Sequence, residues 1–477
     1  KWSSGARMPT RNEALELITK CTFKSHILEG ISGNLVIGPN GNSIFLPAAG
    51  YCSGGSFYHT GHKGFYWSSS LYTGNTRYAY YLSFTSNDVS RYSNDRCYGQ
   101  SIRPVYDARG DETINEPYFE EIKLATSRII ESGRYIGGEE VANFEQNLAT
   151  ICNAPYAIGV SNGLDALRLI IRGYIELGIF SKGDEIIVPA NTYIASILAV
   201  TDNDLIPIFV EPNPLTYNLD SNLIEQSITP RTKAIMPVHL YGRVCWDEQM
   251  ANIAKKYSLK VIEDNAQAIG AIAPCEGLHG SRLTGALGDA GAFSFYPTKN
   301  IGALGDAGAV VTHDKELAEA VTALRNYGSI KQYNNIYAGL NCRLDPMQAA
   351  ILSIKLQHIT EENSYRQSIA DIYDKNITNP EVIKPLNDNS GQTVWHQYVV
   401  RMKNRDNFRQ YLASNGVETA IHYATPPHLQ PCYTHYSHLS LPITEKLSNE
   451  VVSLPITRCT SNSEALEIAN IINQYND

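Results

Sequence analysis

The chain has 477 residues, a formal net charge of −9, 43% hydrophobic and 18% charged residues. That length leaves room for two or three domains with ample core, and dispersed charge with a negative balance argues against a nucleic-acid surface. No stretch is apolar for long enough to span a bilayer as a helix, so no membrane partner is expected. The nine cysteines are scattered, without CxxC or Cys/His spacing for zinc. Such usage fits a reducing, cytoplasmic setting, with Cys52 and Cys97 open to pairing if their domain were exported. The chain begins at Lys1 rather than Met, which leaves an upstream segment open and a signal peptide unjudged.

Residues 1–105 are short of charge and crowded with Tyr, Ser, Asn and Gly. After one helix-like segment at 11–20, glycine and Asn/Asp turn signals recur between short aromatic runs, the pattern of a small β-rich domain. Tyr gives large contact area at low entropic cost while small polar residues adapt, so a face spanning Tyr66 to Arg96 is a candidate for an unidentified ligand. The rival reading is that these aromatics only fill the domain's own core.

The polar stretch 106–117, with Gly and Pro, reads as a linker. A helical pattern at 119–132 ends at Gly133, and a second helix follows a glycine turn. From Tyr156 strands and helices alternate: strands at 156–160, 185–189, 206–210, 233–238 and 259–263, helices at 164–177, 193–202, 220–227 and 246–257. This alternation predicts an α/β layered domain with a mostly parallel sheet and ligands at the strand carboxyl ends. A strand at 308–312, a helix at 314–326 and a long helix at 345–365 lead into a smaller α/β tail, with a strand at 395–401 and a helix at 405–415.

The chemistry concentrates in GDAGAFSFYPTKNIGALGDAGAV, 288–310, which holds one lysine, Lys299, between two apolar strands and a glycine-rich loop. A lysine at a turn is ordinarily a surface residue, but two other segments bear on it. VIEDNAQAIGA is an apolar strand ending in Asp264, with Gln267 three residues on; Asp264 is either a helix N-cap or a carboxylate whose burial a cationic partner offsets. YAIGVSNGLDAL reads strand, glycine turn, helix start, which cradles a phosphate on free N–H groups such as those of Gly163 and Leu164. Ser294 adds a hydroxyl from the lysine-bearing strand. Lysine, aspartate and phosphate cradle are the parts a pyridoxal 5'-phosphate site requires.

From about Glu116 onward these segments resemble the sugar aminotransferases of the DegT/DnrJ/EryC1/StrS family. The resemblance rests on SNGLDAL, VPANTYIAS, HLYG, EDNAQAIGA, FSFYPTKNIGALGDAG and GLNCRLDPMQAA, which occur in the family's order. It implies the type I pyridoxal-phosphate aminotransferase fold, with a large domain at 118–345 and a small one at 346–477. It also implies that Lys299 carries the cofactor and the transferred proton, Asp264 meets the ring nitrogen, Gln267 the phenolic oxygen, and Tyr193 stacks on the ring. Asn341 matches a residue the family delivers from a neighbouring subunit, implying a homodimer with shared sites. SNGLDALRLI and HYATPPHLQP look most like 3-aminotransferases of dTDP-linked 3-keto-6-deoxyhexoses, with L-glutamate as donor and Tyr296, His422 and Tyr423 at the hexose. Two places depart from the family: Arg243 to Trp246 after HLYG, and PCEGLHGSRLTG before the lysine strand. A dehydratase on this fold carries histidine in place of the lysine, so Lys299 argues against it; a binding protein with a degenerate enzyme half is the other alternative. In the first domain, GFYWSSSLY and GQSIRPV are similar to the Fibrobacter-type major paralogous and C-type-lectin-like variable proteins.

Overall fold

The structure is a computed structural model that describes residues 6–7, 11–28, 30–39, 43–72, 75–86, 88–100, 105–106, 115–331, 333–387 and 392–476. The chain divides into two compact units, Lys1–Arg109 and Gly110–Asp477. Most of the stretch expected to link them, 107–114, lies outside the described residues.

The first unit is β-rich. β1 (Ala6–Arg7) and α1 (Arg11–Lys20) precede β2 (Thr22–Leu28), β3 (Ile31–Ile37) and β4 (Ser43–Pro47), a three-stranded antiparallel sheet. β5 (Tyr51–Ser53) and β6 (Ser56–Tyr58) form a hairpin, and β7 (Gly64–Leu71), β8 (Tyr78–Phe84) and β9 (Val89–Asp95) form a meander. β10 (Gly99–Gln100) returns to β5, and β11 (Val105–Tyr106) pairs back with β1. Val36, Leu46, Tyr66, Leu82 and Phe84 make one core, and Trp67, Ala79 and Tyr81 another. Tyr66 donates to the Pro47 carbonyl at 2.9 Å, and the Trp67 indole to that of Tyr98 at 3.2 Å. Part of the expected Tyr66-to-Arg96 face is therefore interior, because a small domain uses its aromatics for its own core. Tyr92, Phe57 and Tyr58 are among the aromatics left exposed.

The second unit begins with α2 (Phe119–Ser132), ended by Gly133 at φ 66°, and α3 (Glu139–Cys152). There follow β12 (Tyr156–Val160), α4 (Gly163–Glu176), β13 (Glu185–Pro189), α5 (Ile194–Thr201), β14 (Ile206–Val210), β15 (Thr232–Ile235), α6 (Glu248–Tyr257) and β16 (Lys260–Asp264). β17 (Ala290–Ser294), β18 (Gly308–Thr312) and α7 (Lys315–Leu324) complete the sheet region. The seven strands run in the order β12-β18-β17-β16-β15-β13-β14, with β18 antiparallel to both neighbours and the other pairs parallel. Leu167, Ile170, Ile171, Ile197 and Leu317 cover one face, from α4, α5 and α7. The other face is covered by α3 and by α8 (Pro346–Leu356) through Phe144, Leu148 and Leu352, and by α6 through Met250 and Ile253. This is the α/β/α layering that alternation predicts, with strand ends free to carry ligands.

A short hairpin, β19 (Ser329–Lys331) and β20 (Asn334–Asn335), precedes α8. After α8, α9 (Ile359–Asn376), β21 (Tyr398–Arg401), α10 (Arg405–Ser414), α11 (Pro442–Glu450), β22 (Val451–Leu454) and α12 (Asn462–Asn473) close around a second core containing Tyr373, Trp395, Tyr398 and Phe408. Two expected elements differ. The helix expected at 220–227 is a pair of 3-10 turns, Ser221–Leu223 and Glu225–Ser227, the first capped by Asp220. The long helix expected at 345–365 is two helices, α8 and α9, because turning at Gln357 and His358 buries both Leu356 and Ile359. Among the described residues no helix is long and apolar enough to cross a membrane.

Candidate active site

The site residues collect at one edge of the sheet because the parallel strands end there. Asp264 closes β16 and Ser294 closes β17, and the antiparallel β18 starts at that edge with Gly308, opposite both Ser294 and Val160. The chain leaving β12 turns at once into α4, whose N-cap Asn162 accepts from Asp165 N at 2.8 Å. As its first two residues, Gly163 and Leu164 carry N–H groups with no acceptor inside the helix. A Cβ at Gly163 would lie 2.7 Å from Ser294 Cβ. Glycine therefore lets this helix end approach the lysine-bearing strand at Ser294. The Leu164 side chain turns into the core instead.

Asp264 is buried and does not cap a helix. Its Oδ2 accepts from Ser196 Oγ at 2.8 Å and its Oδ1 from Ala266 N at 3.2 Å. Ser196 sits in the first turn of α5, and its own hydroxyl meets Thr192 Oγ1 at 3.0 Å. Gln267 is oriented by a backbone donor: Tyr241 N donates to its Oε1 at 2.6 Å, which leaves Nε2 to donate to Tyr423 OH at 3.1 Å. Tyr241 makes this contact at φ 60°, a conformation unfavourable for a residue with a Cβ. Its hydroxyl also donates to the His422 carbonyl, tying HLYG to the C-terminal segment. Tyr193 is 54% exposed and its ring lies 5.2 Å from that of Tyr423.

Lys299 lies in the turn after β17, its N–H donating to Tyr296 O at 2.8 Å. Desolvation pulls its amine down to about 8 from an ordinary 10.5, with the charge of Asp264 opposing. Burial, then the charge of Lys299, push His422 down to about 4, and burial with Lys299, Arg366 and His422 holds His396 well below its ordinary value. Both imidazoles are therefore neutral at pH 7, and Lys299 is the group there that titrates near neutrality. His422 Nδ1 is 2.8 Å from Ser453 Oγ. Burial pushes the Tyr423 hydroxyl well above its ordinary value. Tyr296 is largely exposed. Asn341 is exposed and bridged through its backbone to Asn326, with no contact shown to the Lys299 group among the described residues.

Several supporting residues escape a motif reading. Ser196 and Thr192 are polar residues at the start of an apolar helix, a spacing visible in VPANTYIAS. Asn300 donates to Asn363 Oδ1 at 2.8 Å and to Val394 O at 2.9 Å, and its Oδ1 is 3.2 Å from His396 Nδ1. These partners are 63 to 96 residues away, beyond any local signal. The two departures from the family pattern lie in the supports behind Asp264. Cys245 N donates to His239 Nδ1 at 2.9 Å, so His239 offers its other nitrogen, as a donor, to the buried Glu263. Glu263 also accepts from the N–H groups of Gly285, the last residue of the second departing segment, and of Leu287 and Gly288 just beyond it.

The arrangement fits pyridoxal phosphate at each end of that molecule. Backbone donors and a hydroxyl suit a phosphate, a buried carboxylate suits a pyridinium N–H, and an amine near neutrality suits an aldehyde. Fold and donor set together define a pyridoxal-phosphate enzyme of the type I α/β class.

The profile of the DegT/DnrJ/EryC1/StrS aminotransferase family matches residues 118–473, and the chain belongs to that family. It is an aminotransferase, with pyridoxal phosphate as its cofactor. The chain is 52% identical over 362 residues to the dTDP-3-amino-3,6-dideoxy-alpha-D-galactopyranose transaminase of Aneurinibacillus thermoaerophilus, covering 76% of this chain and 97% of that protein. Among solved structures, S. venezuelae DesV in complex with a ketimine intermediate matches with a TM-score of 0.72 at 40% identity, over 77% of this chain and 98% of that one. The Bacillus subtilis ntda structure with bound cofactor PMP matches with a TM-score of 0.69 at 31% identity, over 78% and 85% of the two chains.

Proposed function

We propose that this chain transfers an amino group from L-glutamate to a keto sugar nucleotide, a dTDP-3-keto-6-deoxyhexose, in deoxyamino-sugar biosynthesis. The reading is supported by the convergence of Lys299, the buried Asp264 and the Gly163 helix end against Ser294 at one edge of the sheet. The sugar class is supported by the 52% identical transaminase, whose name places the amine at the 3-position of a dTDP-linked 6-deoxyhexose.

When bound, pyridoxal phosphate supplies an electron sink that stabilises negative charge on the carbon losing its proton. Gly163, Leu164 and Ser294 would hold its phosphate, Tyr193 would cover its ring, and Gln267 would donate to its phenolic oxygen. Asp264 would keep the ring nitrogen protonated, which maintains the sink, and Ser196 keeps Asp264 oriented. Lys299 would hold the cofactor in the resting enzyme, and its free Nζ would take up the proton that the donor carbon gives up. An amine near 8 suits that exchange, because both protonation states are populated close to neutrality. Tyr296, His422 and Tyr423 contact the hexose and its phosphates.

The chain works as a homodimer in which Asn341 completes the partner's phosphate site. Exposed Ile330, Tyr333 and Ile336 on the neighbouring hairpin support an apolar contact there. Nine free cysteines support a reducing, cytoplasmic setting. Residues 118–345 and 346–477 serve as the cofactor-binding and small domains. The first unit is a lectin-like module carrying its own ligand, supported by its antiparallel sheets and exposed Phe57, Tyr58 and Tyr92. A screen of dTDP- and UDP-linked 3-keto and 4-keto hexoses with glutamate tests the assignment. It expects the dTDP-3-keto sugar to be aminated fastest; preference for a 4-keto or UDP-linked acceptor would overturn the specificity.

A further inference from the structure

The loop after Lys299, residues 300–305 (NIGALG), has two glycines in six residues and no regular secondary structure. Its shape therefore depends on what pins it. Two side chains of α8 do so. Gln348 and Lys355 are two helical turns apart and share one face. Gln348 Oε1 accepts from Leu304 N at 2.8 Å, and Lys355 Nζ donates to the Gly302 carbonyl. Gly302 in turn rests on the lysine turn: a Cβ there would lie 2.2 Å from the Pro297 carbonyl oxygen. Ala303 N donates to Phe295 O at 2.8 Å, and Lys299 N closes the turn on Tyr296 O at 2.8 Å. A shift of the Gly302 carbonyl would thus be passed directly to Pro297, two residues before the reactive amine.

Lys355 is costly to keep in this place. It is 3% exposed, and burial pulls its amine down to about 8, with the charge of Glu362 opposing. The Glu362 carboxylate is taken by Tyr118, at 2.5 Å, and by Arg458, at 2.7 Å, and no ion pair to Lys355 occurs among the described residues. A buried ammonium facing a carbonyl is less stable than a methionine of similar volume would be in the same core. Neighbouring buried positions of α8, Ala349, Ala350, Ile351, Leu352 and Leu356, already supply its packing. The contact the ammonium does make is with the lysine loop.

We propose that Lys355 is a positioning residue for transamination, which holds the Gly302 carbonyl so that the turn presents the Lys299 amine to the desolvated side of the pocket, with Gln348 as a second pin. This rests on the reading of Lys299 as the catalytic lysine. In Lys355→Met the loop loses its donor while helix and core keep their volume. The Lys299 amine then gains access to water and its titration moves back toward that of an ordinary lysine.

The experiment measures the pH dependence of Lys299 acetylation by acetic anhydride in cofactor-free protein, read by peptide mass spectrometry, together with kcat, KM and the melting temperature. Wild-type protein should show a midpoint near 8. Lys355→Met should move that midpoint up by about one unit and lower kcat by about tenfold or more, with KM for glutamate changed less than about threefold. Gln348→Ala, at a half-buried position that tolerates truncation, should act in the same direction more weakly. A purely structural role would change the melting temperature while leaving the midpoint within about 0.3 unit and kcat within about twofold of wild type, and that result overturns the proposal. If Lys355→Met fails to fold, an unchanged midpoint and kcat in Gln348→Ala overturn it equally. Lys299→Ala tests the underlying reading separately: if that variant still turns over, the lysine assignment fails, whatever Lys355 does.

Discussion

Ser196→Ala isolates the contact that orients the carboxylate. The Ser196 hydroxyl is fully buried and donates to Asp264 Oδ2 at 2.8 Å, so no solvent replaces it when the oxygen is removed. A hydrogen bond to a charged group is worth about 1.5–3 kcal/mol. Alanine regains roughly half a kcal/mol or less through helix propensity in α5, too little to offset the loss. If Asp264 must be held in place to keep the ring nitrogen protonated, that energy appears in the rate, as a fall in kcat of about tenfold to hundredfold. The assay is steady-state transamination from glutamate with wild-type, Ser196→Ala, Asp264→Asn and double-variant proteins. In the Asp264→Asn background the serine should matter less than about threefold, since its acceptor has lost its charge. A Ser196→Ala enzyme within twofold of wild type, or an equal loss in both backgrounds, would mean that Ser196 does not act through Asp264.

Lys299 is depressed in the folded protein, to about 8 against 10.5, so the unfolded chain binds more protons between those values and apoprotein stability rises with pH across that window. Lys299→Met should remove this contribution, stabilising the apoprotein at pH 7 by at most about 3 kcal/mol, with the gain fading toward pH 10.5 in denaturant titrations. If sites are shared as proposed, Asn341→Asp sets a carboxylate against the partner's phosphate site and should weaken cofactor binding. Subunit exchange between Lys299→Ala and Asn341→Asp chains should then restore activity, and a stable monomer at micromolar concentration would exclude sharing. A chain starting near Asp111 should keep its cofactor band and a kcat within a few-fold of the full protein; lost turnover with bound cofactor would mean that the first unit contributes to the sugar pocket.

Much of the fold is legible where local physics decides it. Gly133 ends α2 in the left-handed region, and β12, β13, β14 and β18 fall where short apolar runs meet turn residues. The break between α8 and α9 is not legible, since neither Gly nor Pro marks it and it arises from packing. At 220–227 an apolar pair, Leu223 and Ile224, imitates a helix, but Ile228 leaves in extended conformation before Pro230. At the candidate site, Lys299, Asp264 and Gln267 stand out in the sequence because their segments carry chemistry in a few consecutive residues. Their supports are not: Gln267 meets Tyr423 across 156 positions, and Lys355 meets Gly302 across 53. Such pairs are set by tertiary packing, which periodicity does not report.

Following the nitrogen tests whether Lys299 moves the proton in an amino transfer from glutamate to a sugar ketone. Wild-type protein incubated with L-[15N]glutamate and a dTDP-3-keto-6-deoxyhexose should yield a dTDP-sugar carrying 15N at carbon 3, with an equal amount of 2-oxoglutarate, while Lys299→Ala yields neither above background. Labelled amino sugar formed by Lys299→Ala at a rate near that of wild type, or glutamate turnover without label in the sugar, would contradict it.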